Sequence, residues 1–374
     1  MTRGLPGSVV VIGTGMVGTS VALALRRRKV TVWLSDADPA AAAAAAAIGA
    51  GTPLPCSGPQ AAPPGGAADL AVLAMPPAAV AAALCAAQGA GLARWYTDVA
   101  SVKELPIAQA RELGCDLTAF VPGHPLAGSE RSGPAAARGD LFVGRTWALC
   151  PAEETAAEAV ELVTAVVTGC GAQPARMSAA DHDRWAALVS HAPHLVATAM
   201  AARLEDAPEG ERDAALAMAG PGLRDVTRVA AGDPGLWEQI LAANAAHAGK
   251  VLAALAAELS AAADALAAVA EGDDTARKRI SSLLERGGAG VARIPGKHGR
   301  PAPAYAAVQV LIGDQPGELA RLFQAAAAAG INIEDMRIEH AEGVLAGVAE
   351  LSVRPEAAAR LTEALAAAGW PVRG

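Results

Sequence analysis

The chain has 374 residues, a mass of 37.2 kDa and a net charge of −8, with 53% hydrophobic, 18% charged and only 3% aromatic residues. That length suggests two or three domains with apolar residues enough for large cores, which excludes wholesale disorder. An acidic balance without a long basic run argues against a non-specific grip on nucleic acid, and so few aromatics argue against stacking of single strands. The five cysteines, Cys56, Cys85, Cys115, Cys150 and Cys170, contain no CxxC pair and are odd in number. A reduced, cytoplasmic setting is expected rather than a disulfide framework. Residues 70–93 carry no charge for 24 positions, long enough to span a bilayer. Pro76-Pro77 divides that stretch, so a buried strand and an alanine-rich helix are expected, not a membrane span. No signal-peptide pattern precedes the first strand.

In chain order, the β-branched run 8–12 ends in glycine and passes into a helical pattern. Residues 30–36 read as the second strand, 39–50 as helix and about 51–68 as a Pro/Gly loop. Further strands are expected at 70–75, 95–101, 117–121 and 146–150, mostly separated by helices. Alternation of this kind predicts a mostly parallel α/β sheet of Rossmann type over 1–175. Residues 176–285 read as an all-helical domain. Its breaks fall near 207–210 and 220–222, and one long packing helix is expected over 236–271. Residues 286–303, rich in Gly, Pro and basic side chains, read as a linker. The remainder, 304–374, predicts strands at 305–312, 331–340 and 344–353, with helices after the first and third. A last edge strand near 370–373 would complete a small ferredoxin-like βαββαβ module.

Gly13-x-Gly15-x-x-Gly18 follows a hydrophobic strand and opens a helix. The first glycine allows the turn, the second the approach of a pyrophosphate, and the third close helix–strand packing. Met16 and Val17 lie within this motif at the helix start, where phosphates are held. Asp36 ends the next strand, 23 residues after Gly13. A carboxylate there accepts from ribose hydroxyls and repels a 2′-phosphate, which favours NAD over NADP. Arg26, Arg27 and Arg28 come too early for that pocket and read as a solvated helix end.

Polar residues stand out against the alanine background. Ser101 and Lys103 follow one strand, and His124 follows the next, at the carboxyl ends where this fold places ligands. A neutral His124 suits proton abstraction from an alcohol; a structural turn histidine is the alternative. His191 and His194 share a helix face. No third ligand at metal spacing accompanies them, so no metal is expected. Hydrogen bonding to substrate, or a helix-interface role, is open for His194. Arg228 suits a bidentate carboxylate contact or an interhelical salt bridge. Trp237 lines a pocket or fills the core. Asp181, His182, Asp183 and Arg184 read as solvated surface.

Taken together, GTGMVG, SVK, PGHPLAGSERSG, SHAPH and GLRDVTRVAAGDPGLW resemble the prephenate/arogenate dehydrogenase family of tyrosine biosynthesis, in family order through about residue 270. The tail, with GDQPGELARLFQAAAAAGINIEDM, resembles an ACT regulatory domain. The resemblance implies NAD-dependent oxidative decarboxylation of prephenate or arogenate and a homodimer formed through the helical domain. It places His124 on the histidine that takes the substrate's 4-hydroxyl proton, and Ser101 on the serine beside it. It places Arg228 on a carboxylate-holding arginine, and His194 and Trp237 on pocket residues. Glu130 and Lys103 take supporting roles. In the tail it points to Asp314, Gly317 and Asn332 as effector contacts, with tyrosine the first effector expected and phenylalanine and tryptophan the alternatives. One departure is Ala219-Gly220-Pro221-Gly222, where proline removes a backbone donor. Dehydrogenases of the 6-phosphogluconate or 3-hydroxyacid type share the two-domain plan but call for a helical lysine motif that is missing. A non-catalytic NAD-sensing protein would not need His124, Ser101 and Arg228 together.

Overall fold

A computed structural model describes residues 4–55, 63–127, 133–206, 208–294, 305–340 and 346–373. The chain packs as two compact units, Met1–Glu258 and Leu259–Gly374.

The first unit begins with β1 (Ser8–Ile12), α1 (Met16–Arg26), β2 (Thr31–Ser35), α2 (Pro39–Ala47), β3 (Thr52–Pro53), β4 (Ala68–Leu73), α3 (Pro77–Gly89), β5 (Ala93–Asp98), α4 (Glu104–Glu112) and β6 (Phe120–Val121). The six strands form one sheet in the order β3-β2-β1-β4-β5-β6, and every pair is parallel. Successive side chains of a strand face opposite sides. Accordingly Val9 and Val11 of β1 enter a core with Leu25 and Leu34, while Val10 and Ile12 enter another with Leu84 and Leu92. The uncharged stretch resolves into β4 and α3, with Pro76 and Pro77 at the helix start.

β7 (Gly123–Pro125), β8 (Thr146–Leu149), α5 (Ala157–Gly169) and β9 (Gln173–Arg176) follow. β8 pairs antiparallel with β7 and parallel with β9, making a second, three-stranded sheet. Two expectations shift here. The strand expected at 95–101 ends at Asp98, whose carboxylate accepts the Ala100 N–H at 3.1 Å and turns the chain. The segment 117–121 divides into a 3-10 turn, Leu117–Ala119, capped by Asp116, and the short β6.

The helical region holds α6 (Ala179–Ala186), a π-helical turn (Ala187–His191), α7 (Ala192–Glu205), α8 (Glu209–Ala217), α9 (Pro221–Thr227), a 3-10 turn (Arg228–Ala231), α10 (Pro234–Ala243) and α11 (Ala245–Ala270). The single long helix expected over 236–271 is therefore two helices. Asn244 breaks it with φ −118° and ψ 27°, and its buried amide bonds elsewhere. Pro221 takes the first position of α9, where its missing N–H would have had no helical partner anyway.

In the second unit, α12 (Arg277–Val291) carries helix through residues 286–291, which had read as linker; residues 295–303 of that stretch lie outside the described residues. Then come β10 (Ala306–Gly313), α13 (Glu318–Ala328), β11 (Asp335–His340), β12 (Ala346–Val353), α14 (Pro355–Ala367) and β13 (Val372–Arg373). The sheet is antiparallel throughout, in the order β11-β12-β10-β13. Alternate residues of β10 and β12, among them Val308, Val310, Ala349 and Leu351, pack with Leu361, Leu365 and Trp370. β11 begins at Asp335, four residues later than its sequence pattern; Asn332 instead bonds Glu334 Oε1 at 2.8 Å.

Gly18 shows how tightly the first strand–helix turn is built. A Cβ there would stand 2.0 Å from the Gly13 carbonyl oxygen and 2.8 Å from Ala74 Cβ. Gly18→Ala is expected to destabilise by about 1–3 kcal/mol, seen as a fall of several degrees in Tm by calorimetry. Gly15→Ala, with nothing within 4 Å of the added carbon, should leave Tm nearly unchanged.

Candidate active site

The glycine loop is shaped by its neighbours. Gly13 has φ +98°, and a Cβ on it would meet the Ala74 carbonyl oxygen at 2.0 Å. Gly15 caps α1 without a side-chain bond and borders open space. A pyrophosphate needs that combination: bare backbone at a helix N-terminus and no Cβ in the way. Met16 and Gly18 are buried on α1, and Val17 is half-buried against the core. Asp36 Oδ2 accepts the Thr14 N–H at 2.5 Å and the Thr14 hydroxyl at 2.7 Å, and Oδ1 accepts the Asp38 N–H at 3.0 Å. A carboxylate offers about four acceptor positions, so Asp36 fixes the loop and retains capacity for a ribose hydroxyl.

Below the carboxyl ends of β5 and β6 lies a buried charged pair. Lys103 and Asp98 form a salt bridge with both side chains fully buried. The Lys103 ammonium also donates to the Gly123 carbonyl at 2.6 Å. Asp98 accepts the Gly123 N–H at 2.9 Å. The pair thereby clamps Gly123, the residue next to His124, on β7. A buried ion pair is tolerated when its remaining polar sites are satisfied in this way.

His124 sits in a strand, not in the loop a turn histidine would occupy. Its Nδ1 lies 2.8 Å from His182 Nε2, with the rings edge to face at 5.0 Å between centroids. His182 Nδ1 lies 2.7 Å from Asp183 Oδ1. Asp183 in turn accepts the Lys103 N–H at 2.8 Å and the Glu104 N–H at 2.9 Å, capping α4. Burial, then His182, Lys103 and His191, hold His124 well below the ordinary histidine pKa. The ring is thus neutral at pH 7, as a proton acceptor must be.

His182 and Asp183 had read as solvated surface, and the structure corrects that: they are 3% and 1% exposed. Asp181 and Arg184 do lie at the surface, paired at 2.6 Å. Helical spacing held the missing signal. Residues 182, 183, 186 and 187 share a face, and the last two are buried alanines.

The SHAPH segment straddles the π-helical turn. His191 Nδ1 lies 3.0 Å from the Asn244 amide, which also donates to the Asp183 carbonyl at 2.8 Å. His194 stacks on Trp237, with centroids 3.5 Å apart and planes 10° apart; His191 meets the same indole edge-on at 6.3 Å. Gly232 lets Trp237 in, since a Cβ there would come within 2.4 Å of Trp237 Nε1. No metal-holding cluster of three His, Cys, Asp or Glu occurs among the described residues.

Two site candidates have no such neighbours. Arg228 is exposed at the start of its 3-10 turn. Ser101 is half-buried in the loop between β5 and α4. Neither side chain bonds another described residue. Gly128, Ser129 and Glu130 lie outside the described residues.

Residues 21–175 match the family described as prephenate dehydrogenase, nucleotide-binding domain, and residues 178–280 match prephenate dehydrogenase, dimerization domain. The chain is 40% identical to a probable prephenate dehydrogenase, NovF, of Streptomyces niveus over 97% of its own length and 99% of that protein. The chain belongs to the prephenate dehydrogenase family. A family member of Bacillus subtilis is 35% identical over 40% of each chain. Among solved structures, the prephenate dehydrogenase of A. aeolicus in complex with hydroxyphenyl propionate and NAD+ is 26% identical, with a TM-score of 0.64 over 76% of this chain and 98% of that one. Arogenate dehydrogenase of Synechocystis shares the fold at 24% identity and a TM-score of 0.61, over 77% of this chain and all of that one.

The buried histidines also set an acid limit on stability. Burial depresses His191 to about 4. Between the unfolded value near 6.5 and about 4 the unfolded chain binds the extra proton, so stability falls as pH falls through that window. The loss expected from His191 is up to about 3 kcal/mol. Urea denaturation at pH 7.5, 6, 5 and 4.5 should show the fall, with a shallower slope in His191→Gln.

Proposed function

We propose that this chain is an NAD-dependent prephenate dehydrogenase, converting prephenate to 4-hydroxyphenylpyruvate and carbon dioxide. The observation that carries this reading is His124, a neutral base behind the carboxyl ends of the parallel sheet, in a chain alike along its whole length to a probable prephenate dehydrogenase. Gly13, Gly15, Met16, Val17 and Gly18 would hold NAD and Asp36 would take its ribose; bound there, NAD would supply the hydride acceptor. His124 accepts the proton of the ring hydroxyl, and Ser101 hydrogen-bonds beside it. Arg228 holds a substrate carboxylate, while His194 and Trp237 wall the pocket. Aromatisation drives the loss of the ring carboxylate, so the protein's task is alignment and proton removal. Arogenate differs only in carrying an amino acid side chain and is the second reading. Initial rates with both substrates, each with NAD and NADP, decide between them.

The domains are 1–175 for the nucleotide, 176–285 for substrate and dimerisation, and 304–374 for regulation, with the linker between the last two. Trp185, Leu188, Val189 and Met200, each 46–68% exposed, give the helical region apolar surface for a second copy. Free thiols at Cys85, Cys115, Cys150 and Cys170 accord with a cytoplasmic enzyme. The tail is a ferredoxin-like ACT module. Support comes from its βαββαβ order and from its first and third strands lying at the sheet centre. Asp314 and Asn332 are exposed, and Gly317 caps α13 at φ +94° without a side-chain bond. These three would receive an effector amino acid, tyrosine first.

His124→Asn is expected to lower kcat by about 10²- to 10⁴-fold with little change in KM. Arg228→Ala is expected to raise KM for prephenate by about 10- to 100-fold. Steady-state NADH formation reads both, and an unchanged kcat in the first would remove His124 from its role. For regulation, tyrosine should slow the full-length enzyme, and Asn332→Ala should weaken that inhibition. A rate indifferent to tyrosine, phenylalanine and tryptophan would rule out the effector reading.

A further inference from the structure

The identity of the base leaves open which of its nitrogens acts. Asp183 carries three donors: the Lys103 and Glu104 N–H groups and His182 Nδ1, at 2.8, 2.9 and 2.7 Å. A carboxylate so surrounded only accepts, so the hydrogen between it and His182 belongs to Nδ1 of the ring. An imidazole with its hydrogen on Nδ1 turns a bare Nε2 towards His124 Nδ1, 2.8 Å away. That contact is a hydrogen bond only when His124 Nδ1 carries the hydrogen. His124 Nε2 is left with its lone pair.

We propose that His182, backed by Asp183, is a positioning residue that locks His124 in its Nδ1–H tautomer and so makes Nε2 the base. The identity of the substrate rests on the function proposed above; the tautomer does not. The protons balance without a further reactant. The substrate O–H bond breaks and its proton joins His124 Nε2. NAD, when bound, would supply the acceptor for the C4 hydride, and the ring carboxylate leaves as carbon dioxide, its bonding pair entering the ring. The ring oxygen then carries the negative charge and takes the proton back from Nε2. While His124 is protonated, its Nδ1 hydrogen faces a lone pair on His182, whose other side meets the Asp183 carboxylate. The Lys103 ammonium and the His191 ring disfavour charge on His124, and Asp183, through His182, offsets them.

The geometry is unlike solvated histidine, in which the Nε2–H tautomer is favoured, and ring-nitrogen NMR therefore tests it directly. On 15N-labelled full-length protein, without nucleotide or substrate, His124 and His182 should both appear as Nδ1–H tautomers, with assignment by loss of signals in His124→Asn and His182→Gln. An Nε2–H signal for His124 would overturn the proposal. Kinetics form the second arm. His182→Gln can still accept from His124 and donate to Asp183, and should keep kcat within about 10-fold. His182→Leu should lose about 10²- to 10³-fold in kcat with KM within about threefold. Equal kcat in the leucine variant and wild type, or equal loss in both variants, would also overturn it. If His182→Leu does not fold, the wild-type spectrum and the glutamine variant carry the test. A wild-type enzyme inert towards prephenate but showing the Nδ1–H tautomer would instead discard the substrate reading alone.

Discussion

The Asp183 carboxylate is the point on which the site turns. One side chain on α6 caps α4 through two backbone N–H groups and orients His182 with the same oxygens. Its own carbonyl receives the Asn244 amide from the break between α10 and α11. A helix N-terminus favours negative charge, so the nucleotide sheet supplies a stabilising field to a group the helical region contributes. Neither segment would place His124 alone. The sheet fixes its backbone through Asp98, Lys103 and Gly123, and α6 fixes its ring through His182.

This arrangement explains why so much buried charge is tolerated beside His124, whose pKa burial holds well below the ordinary histidine value. Lys103 finds Asp98 and the Gly123 carbonyl; Asp98 finds two backbone N–H groups and the ammonium. Removing one member of such a pair strands the other, at a cost of about 3–5 kcal/mol. The ammonium so held is close enough to depress His124, and desolvation does the larger part. Electrostatics at the centre therefore follow from packing requirements at its edge.

Much of the architecture was legible because periodicity reports burial. The unbroken β-branched run of β1 signalled a strand buried on both faces, and the glycine spacing named a turn whose added Cβ atoms would strike backbone at 2.0 Å. In the candidate site, His124 and His194 stood out in the sequence as polar residues on an apolar background. It was hidden where polar residues cluster. In Asp181-His182-Asp183-Arg184 the inner pair and the outer pair each join an acidic to a basic side chain, and only the helical face tells them apart. Asn244 was hidden for the opposite reason: in an alanine-rich run its helix-breaking tendency is weak, and its buried partners, His191 and the Asp183 carbonyl, come from a distant segment. Pro221, suspicious in sequence, occupies the helix position that tolerates it best.

The low share of charged residues, 18%, acquires a structural meaning in α11. This helix is long and apolar enough to cross a membrane, yet its most hydropathic 18-residue window is only 6% buried within the chain. It belongs to the segment matching a dimerization domain, and a second copy laid on it would meet the same hydrophobic demand without lipid. Its N-terminal end is anchored at the site, since His247 meets Glu104 at 2.8 Å in the first turn of α4 and Asn244 immediately precedes it. The first turn of α11 therefore bears on the same α4 terminus that Asp183 caps. His247 and the Asp183–His182 pair behind His124 thus meet at one short stretch of backbone, Lys103–Glu104.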